Sequence, residues 1–494
     1  MGSKVLENLG KSLQAACQTY GDKLALSSAQ GSYSYATLLQ NAQTIADQLK
    51  DAGMEQDEPV LILVSNQPAD LAGILGIWLA GGVIVPVHRT SPEGAQWKII
   101  QKTRARLLLD YQNFSAAPLI KKVSPEVAVE DVMLHGAAFV IFTSGSTGDP
   151  KGVVVSHGAF QGKLGEIDRL LNFKPNDRVL LVLNINFVFG LWLALETLLH
   201  GGLIHLLEKF DAQEFINTLA NEKITRVGVV PTMMRVIFSK PELIHEINTR
   251  LQTPILKQIL IGGESLGKSL AVTVRSQFTQ TELIDIYGST ETASCDFFSF
   301  PENFAIFPGS IGCPAGGVSF RIVDQNEDPV NQGVEGELQI YSPYLMSGYL
   351  GDPELTQKAF SGKWFKTGDI AREVGASILE LMGRSKELIS RGGNKVTPGE
   401  IEQAICVHAN IAAAMAVGIP DAILGERIHV LIVPFAVSEI SIVELNEHLK
   451  IRLEKFKMPD TFYFASALPT GRTGKADRGQ LKQQIMTGLL KPAV

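Results

Sequence analysis

Short, wholly apolar runs punctuate the first two-thirds of the chain, at 60–64, 83–85, 139–142, 179–183 and 227–230. Most are separated by stretches whose apolar positions recur every three to four residues, as at 38–49 and 215–219. Runs apolar at every position predict strands buried on both faces. Such strands alternating with helices predict a largely parallel sheet in an α/β fold. One longer apolar stretch, Leu71 to Val87, approaches the length that spans a bilayer. Gly81 and Gly82 interrupt it and Val83, Ile84 and Val85 follow, so it predicts a buried helix ending at the glycines and then a core strand, with no membrane span. No internal repeat is visible.

After about residue 335 the pattern changes to short strands with turns, at 336–341, 364–365 and 378–382. A charged, glycine-rich stretch, 383–394, follows. Beyond it a compact α+β pattern predicts a helix at 398–407, strands at 414–418 and 429–433, and a helix at 442–453. These shifts predict a large N-terminal domain over 1–383, comprising parallel-type sheets with helices and a small β-rich part. A small α+β domain is predicted over 384–494.

Composition adjusts this picture only a little. The 494 residues are too many for one ordinary core. Hydrophobic residues at 45% and charged residues at 19% fit a soluble globular protein. A net charge of -7 argues against a general nucleic-acid binder, which needs a basic surface. Cys17, Cys295, Cys313 and Cys406 are far apart and form no CxxC pair. The first residues lack a signal-peptide core, and Leu6 stands where a myristoylation site has Ser or Thr. Together these point to a reduced, cytoplasmic protein without a disulfide framework or zinc site.

Candidate chemistry starts at Thr143-Ser-Gly-Ser-Thr-Gly-Asp-Pro-Lys-Gly152, directly after the apolar run that ends at Phe142. Gly145, Gly148 and Gly152 let backbone approach a polyphosphate. Thr143, Ser144, Ser146 and Thr147 offer hydroxyl donors, and Lys151 offers charge. A flexible Ser/Gly turn has the same composition. The segment is not a Walker A loop, because Pro150 precedes the lysine and Gly152 follows it, and it contains no GxGxxG. A P-loop phosphotransferase is therefore contradicted.

This segment resembles the phosphate loop of the adenylate-forming superfamily, which includes acyl- and aryl-CoA synthetases, the adenylation domains of nonribosomal peptide synthetases, and firefly luciferase. Six further segments continue the resemblance in order: Gly262-Gly-Glu-Ser-Leu266, Ile286-Tyr-Gly-Ser-Thr-Glu291, Lys366-Thr-Gly-Asp369, Gly383-Arg-Ser-Lys-Glu387, Gly392-Gly-Asn-Lys-Val-Thr-Pro398 and Leu468-Pro-Thr-Gly-Arg-Thr-Gly-Lys475. The resemblance implies activation of a carboxylic acid by attack on the α-phosphorus of ATP. Both reactants are anionic, so such a site must cancel charge and align the attack.

The resemblance also implies roles. Thr143, Ser144, Gly145, Ser146, Thr147, Gly148 and Lys151 would hold the phosphates. Glu291 would be the Mg²⁺ carboxylate, and Thr290 would bond the α-phosphate. Tyr287 would face adenine, with Gly263, Glu264, Ile286 and Gly288 around the nucleotide. Asp285 stands where the family usually has Asn, yet it can still accept from the adenine amino group. Asp369 would accept from the ribose hydroxyls, and Arg384 would reach the ribose or the phosphates. Lys475 would be the catalytic lysine, bridging the acid carboxylate and the α-phosphate. Gly471 stands where the family often has Thr. Lys386 would be the hinge on which a mobile C-terminal domain turns, presenting Gly392 and Gly393 to a pantetheine thiol.

The segment Asn186-Phe-Val-Phe-Gly-Leu-Trp192 resembles the family's acid-pocket segment. Amino-acid-activating relatives have Asp where this chain has Val188. An α-ammonium would lack its partner there, so α-amino acids are disfavoured. Phe187, Val188, Phe189, Trp192, Leu260, Gly262, Ile286, Ser294 and Cys295 would make a mostly apolar pocket with room at Gly262, suited to an aromatic or medium-length aliphatic acid. ATP, Mg²⁺ and CoA are the expected cofactors. The alternatives are a stand-alone enzyme that loads a carrier protein's phosphopantetheine and, more remotely, a luciferase-type oxygenase.

Overall fold

The computed structural model describes residues 8–111, 118–123, 131–143, 150–252, 254–408, 410–435, 440–470 and 476–493. The apolar runs are strands, and the two large sheets they form are mixed. A seven-stranded sheet runs Gly348–Tyr349, Lys151–Ser156, Ala137–Thr143, Val83–His88, Pro59–Val64, Leu107–Asp110, Leu119–Lys122. Its four middle strands are parallel, and antiparallel strands flank them. A nine-stranded sheet has six parallel strands at its centre, from Leu24–Ser28 through Leu203–Leu206, Arg178–Leu181, Arg226–Val229 and Gln258–Gly262 to Glu282–Tyr287. Antiparallel strands close both of its edges.

The all-apolar strands are explained by what covers them. Every residue of Pro59–Val64 is buried. Helices Pro68–Ala80 and Val188–Leu199 are almost wholly buried and, apart from Asp70 near the start of the first and Glu196 and Thr197 near the end of the second, apolar around their circumference, as helices packed inside a core must be. Ile74 and Leu191 of these helices share one core with Val60 and Ile84 of the first sheet and Val179 and Ile204 of the second. The 71–87 stretch is the expected helix and strand. Gly81 caps Pro68–Ala80 at φ 91°, a left-handed conformation that favours glycine, and Val83–His88 follows. Among the described residues no helix is long and apolar enough to cross a membrane.

The third sheet is antiparallel and contains Ser319–Val323, Gly336–Tyr341, Trp364–Gly375 and Ile378–Arg384. The fourth uses only later residues. It pairs Ile389–Arg391, Asn394–Val396, Ile411–Asp421, Gly425–Pro434 and Thr461–Phe464. Ile401, Ile411, Val430 and Leu445 belong to a separate core beneath it.

Candidate active site

Thr143 and Lys151 face each other across the antiparallel pair Ala137–Thr143 and Lys151–Ser156. The glycine-rich segment therefore joins two strands, where a Walker A loop leads into a helix. Ser144, Gly145, Ser146, Thr147 and Gly148 lie outside the described residues. Lys151 Nζ is 5.4 Å from the ring centroid of Tyr349, and the Tyr349 hydroxyl donates to Glu291 Oε1 at 3.0 Å. Burial pushes the Tyr349 phenol up and Glu291 pushes it further, which keeps the donor protonated.

Strand Glu282–Tyr287 leads into the loop that carries Thr290 and Glu291. The chain then returns antiparallel, pairing Tyr287 with Phe297. The reversal runs through Ala293, Ser294 and Cys295 at φ 56°, 71° and 55°. A left-handed non-glycine residue costs roughly 1–2 kcal/mol, so three in succession need firm support. Ser294 N donates to Ser289 O at 2.8 Å, Asp296 N to Tyr287 O at 2.7 Å, and Met346 N to Glu291 O at 2.8 Å. Beneath the loop, fully buried Lys163 donates to Asp296 Oδ1 at 2.8 Å, and Thr292 Oγ1 donates to Asp296 Oδ2. Gly288 is required, because a Cβ there would stand 2.3 Å from Cys295 N.

The strand register sets Asp369 directly opposite Arg384. Arg384 Nε lies 2.8 Å from Asp369 Oδ1, and the Tyr287 hydroxyl donates to Asp369 Oδ2 at 2.6 Å. Burial pushes the Asp369 carboxyl up, and Arg384 pulls it partly back. Asp285 is buried and lines a small cavity together with Leu266 and Phe304, and burial pushes its carboxyl up to about 7. Glu264 is tied to helix Pro231–Phe238, accepting from Thr232 Oγ1 at 2.9 Å with Arg235 at 3.2 Å. Gly263 beside it is exposed at φ 83°.

Val188, Trp192, Leu260, Ile286 and Cys295 all belong to the large core between the two sheets, with Phe189 packed against it. Phe189 and Trp192 stack at 5.3 Å with an interplanar angle of 7°. Phe187 is the N-cap of their helix, and Ser294 is buried. The expected room at Gly262 is corrected. A Cβ there would meet the Ile286 carbonyl oxygen at 2.4 Å, so this glycine admits the neighbouring strand's backbone and opens no space on that side.

In the C-terminal part, Lys386 is exposed in the short turn Ser385–Glu387. Gly392 and Gly393, at φ 57° and 82°, form the tight exposed turn between Ile389–Arg391 and Asn394–Val396. Two positive φ values are what a two-residue hairpin turn demands. Lys475 lies outside the described residues, as does Gly471. Thr470 and Ala476, which flank them, are bridged. Next to them Arg478 reaches Glu387 Oε2 at 2.8 Å and Glu402 Oε2 at 3.0 Å. The base of the lysine segment is thus tied to the turn holding Lys386. Sequence reasoning missed Tyr349, Lys163, Thr292, Asp296 and Arg478, none of which stands in a segment carrying the resemblance.

The family of AMP-binding enzymes matches residues 13–350, and the AMP-binding enzyme C-terminal domain matches residues 400–475. The chain belongs to the AMP-binding enzymes. This AMP-binding enzyme is 28% identical over 471 residues to feruloyl-CoA synthase of an Amycolatopsis species, covering 91% of this chain and 94% of that one. It is 29% identical over 491 residues to tyrocidine synthase 3 of Brevibacillus parabrevis, covering 93% of this chain but 7% of that much longer one. Its fold matches o-succinylbenzoate CoA synthetase of Bacillus subtilis, solved with its acyl-adenylate intermediate, at a TM-score of 0.80 and 23% identity, over 95% of this chain and 97% of that one. The resemblance drawn from the motifs is borne out, as are the α/β architecture and the reading as an AMP-forming ligase.

Proposed function

We propose that this AMP-binding enzyme activates an aromatic or medium-length aliphatic carboxylic acid with ATP and transfers it to CoA. One observation carries the nucleotide half of the reading. Asp369 is held between the Tyr287 hydroxyl and Arg384 by strand register. A ring, a buried carboxylate and a guanidinium thus converge beside the loop of Thr290 and Glu291, as adenosine with its phosphates requires. Asp369 accepts the ribose hydroxyls, Tyr287 faces adenine with Asp285 near its amino group, and Arg384 meets the ribose or phosphates.

Glu291 fits a magnesium ion. Its Oε1 is oriented by Tyr349, and a single carboxylate joined by phosphate oxygens is a ligand set that Mg²⁺ accepts. The ion's contribution when bound is to neutralise phosphate charge. The glycine-rich segment and Lys151 hold the β- and γ-phosphates. An oxygen of the acid attacks the α-phosphorus, the bond to the bridging oxygen breaks, and pyrophosphate leaves. Lys475 stabilises the charge concentrating between the two anions. The thiol then attacks the acyl carbon and AMP departs. For that second step residues 384–494 turn about Lys386 and bring Gly392 and Gly393 to the thiol.

The stacked Phe189 and Trp192 beside Val188 support an apolar acid and disfavour an α-ammonium group. Pyrophosphate exchange against a panel of acids tests this, and exchange only with α-amino acids refutes it. Lys475→Ala is expected to abolish adenylate formation and to spare transfer from a preformed acyl-adenylate. Equal loss of both half-reactions refutes its role. The match to tyrocidine synthase 3 favours a second acceptor, the phosphopantetheine of a carrier protein. Failure with free CoA but transfer to such a carrier would select it.

A further inference from the structure

Three side chains outside the nucleotide site converge where two helices end. Asp168 lies on helix His157–Leu171, Glu196 lies in the last turn of Val188–Leu199, and His200 caps that helix. One ligand atom from each lies within 4.8 Å of the others. His200 Nε2 is 3.3 Å from Asp168 Oδ2, and His200 Nδ1 is 3.3 Å from Glu196 Oε2.

Glu196 is 1% exposed, and neither of its carboxylate oxygens accepts a hydrogen bond among the described residues. Burying a carboxylate without hydrogen bonds is costly unless a cation meets it. His200 meets it incompletely. Its Nδ1 lies 2.9 Å from the main-chain oxygen of Glu196, a partner that can only accept, so the Nδ1 hydrogen is committed there. With Nδ1 committed, Nε2 is the nitrogen left to a metal, and a cation bound there displaces the Nε2 proton that the carboxylates hold on the ring, as in a metal-ligating histidine whose other nitrogen donates to a carbonyl. Asp168 is oriented in the same manner. Its Oδ1 accepts from Phe173 N at 2.9 Å, which leaves Oδ2 toward His200.

The geometry points to a binding site for one divalent cation of the zinc class, held by Asp168, Glu196 and His200 Nε2. A nitrogen and two carboxylates suit zinc, cobalt or nickel better than magnesium. Ligands at about 2.0–2.1 Å in a tetrahedron are about 3.3–3.4 Å apart, and the Asp168–His200 separation already has that value. The Asp168 and His200 side chains are 34% and 33% exposed, which gives the ion a path in and a water its fourth position. The site is separate from Glu291. Val188, Trp192, Glu196 and His200 recur at four-residue spacing on one helix face, so the cation sits on the continuation of the face that carries the acid pocket.

The test uses the full chain, stripped with chelator and titrated with Co²⁺ without nucleotide. The expected result is one equivalent per chain with visible d–d absorption, no thiolate charge-transfer band, displacement by Zn²⁺, and a melting temperature that rises with Zn²⁺. Glu196→Gln and His200→Ala should each abolish the spectrum and the shift while pyrophosphate exchange persists. Should His200→Ala fail to fold, the isosteric Glu196→Gln decides alone. A spectrum that is absent from the native chain, or that survives Glu196→Gln, overturns the site.

Discussion

Lys163→Met removes the cation beneath the loop that carries Thr290 and Glu291. Lys163 and Asp296 are both fully buried and 2.8 Å apart, and Lys163 also donates to Cys295 O at 3.4 Å. Removing one partner of a buried pair costs about 3–5 kcal/mol, because the other charge is left uncompensated. The left-handed run at Ala293, Ser294 and Cys295 holds roughly 3–6 kcal/mol of conformational strain at about 1–2 kcal/mol per residue. The two magnitudes are comparable, so losing the pair is enough to let the run relax and move Thr290 and Glu291. Burial already pushes the Asp296 carboxyl up, and Lys163 pulls it down. Without Lys163 its folded value rises further above the unfolded one, so the fold then favours the protonated acid. The loss is therefore smallest at low pH and grows as pH rises. Urea unfolding at pH 7 should show destabilisation of about 3 kcal/mol, and pyrophosphate exchange should fall about 100-fold, as displacement by an ångström can cause. The double variant Lys163→Met/Asp296→Asn, with no unpaired charge, should recover much of the stability. An unchanged urea midpoint for the single variant refutes the argument. So does a double variant as unstable as the single one.

Other perturbations follow from the same geometry. Tyr287→Phe keeps the ring but removes the donor to Asp369; a hydrogen bond worth about 0.5–1.5 kcal/mol predicts a roughly two- to tenfold higher KM for ATP, and an unchanged KM would detach Tyr287 from the nucleotide. Asp285 has a folded value of about 7, raised by burial, so the stability it contributes is complete at low pH and is lost as pH rises through 7, by on the order of 4 kcal/mol at the limit. Asp285→Asn should flatten that slope and be the more stable protein at pH 8, as compared by urea midpoints at pH 5.5 and 8; parallel profiles for the two proteins would refute this. Val188→Asp places a carboxylate at a buried position and should weaken activation of apolar acids by tenfold or more. Unchanged kinetics would remove Val188 from the pocket.

Legibility followed the distance over which the information is stored. The central strands were readable because each is apolar throughout, as at Pro59–Val64. The edge pair Leu24–Ser28 and Gly31–Ser34 was not, because mixed residues on an outer pair leave no clear period. The candidate residues that sit in contiguous motifs could be named one by one, while the contacts that support them were hidden. Tyr349 meets Glu291 across 58 positions, Arg478 meets Glu387 across 91, and Lys163 meets Asp296 across 133. In the sequence Lys163 is another basic residue on an amphipathic helix, and only the strand return at Phe297–Ser299 above it makes it a buried counter-ion.

On the proposed reading, that return also lets one motif serve two ligands. Adjacent residues of a strand point to opposite faces, so Asp285 and Ile286 lie on opposite faces of strand Glu282–Tyr287, and on the proposed reading one faces the nucleotide and the other the acid. The loop after it repeats the division, with Thr290 and Glu291 on the way out and Ser294 and Cys295 on the way back. Asp296 is anchored to Tyr287 O at 2.7 Å and to Lys163 at once, so on the proposed reading a shift at either ligand would reach the other through a handful of bonds. Substitutions at Ser294 or Cys295 that alter acid preference should therefore also move the KM for ATP. Those at Val188, on a separate helix, should not. Steady-state kinetics varying both substrates distinguishes the two cases, and independence of the two constants at Cys295 would rule out coupling through this loop.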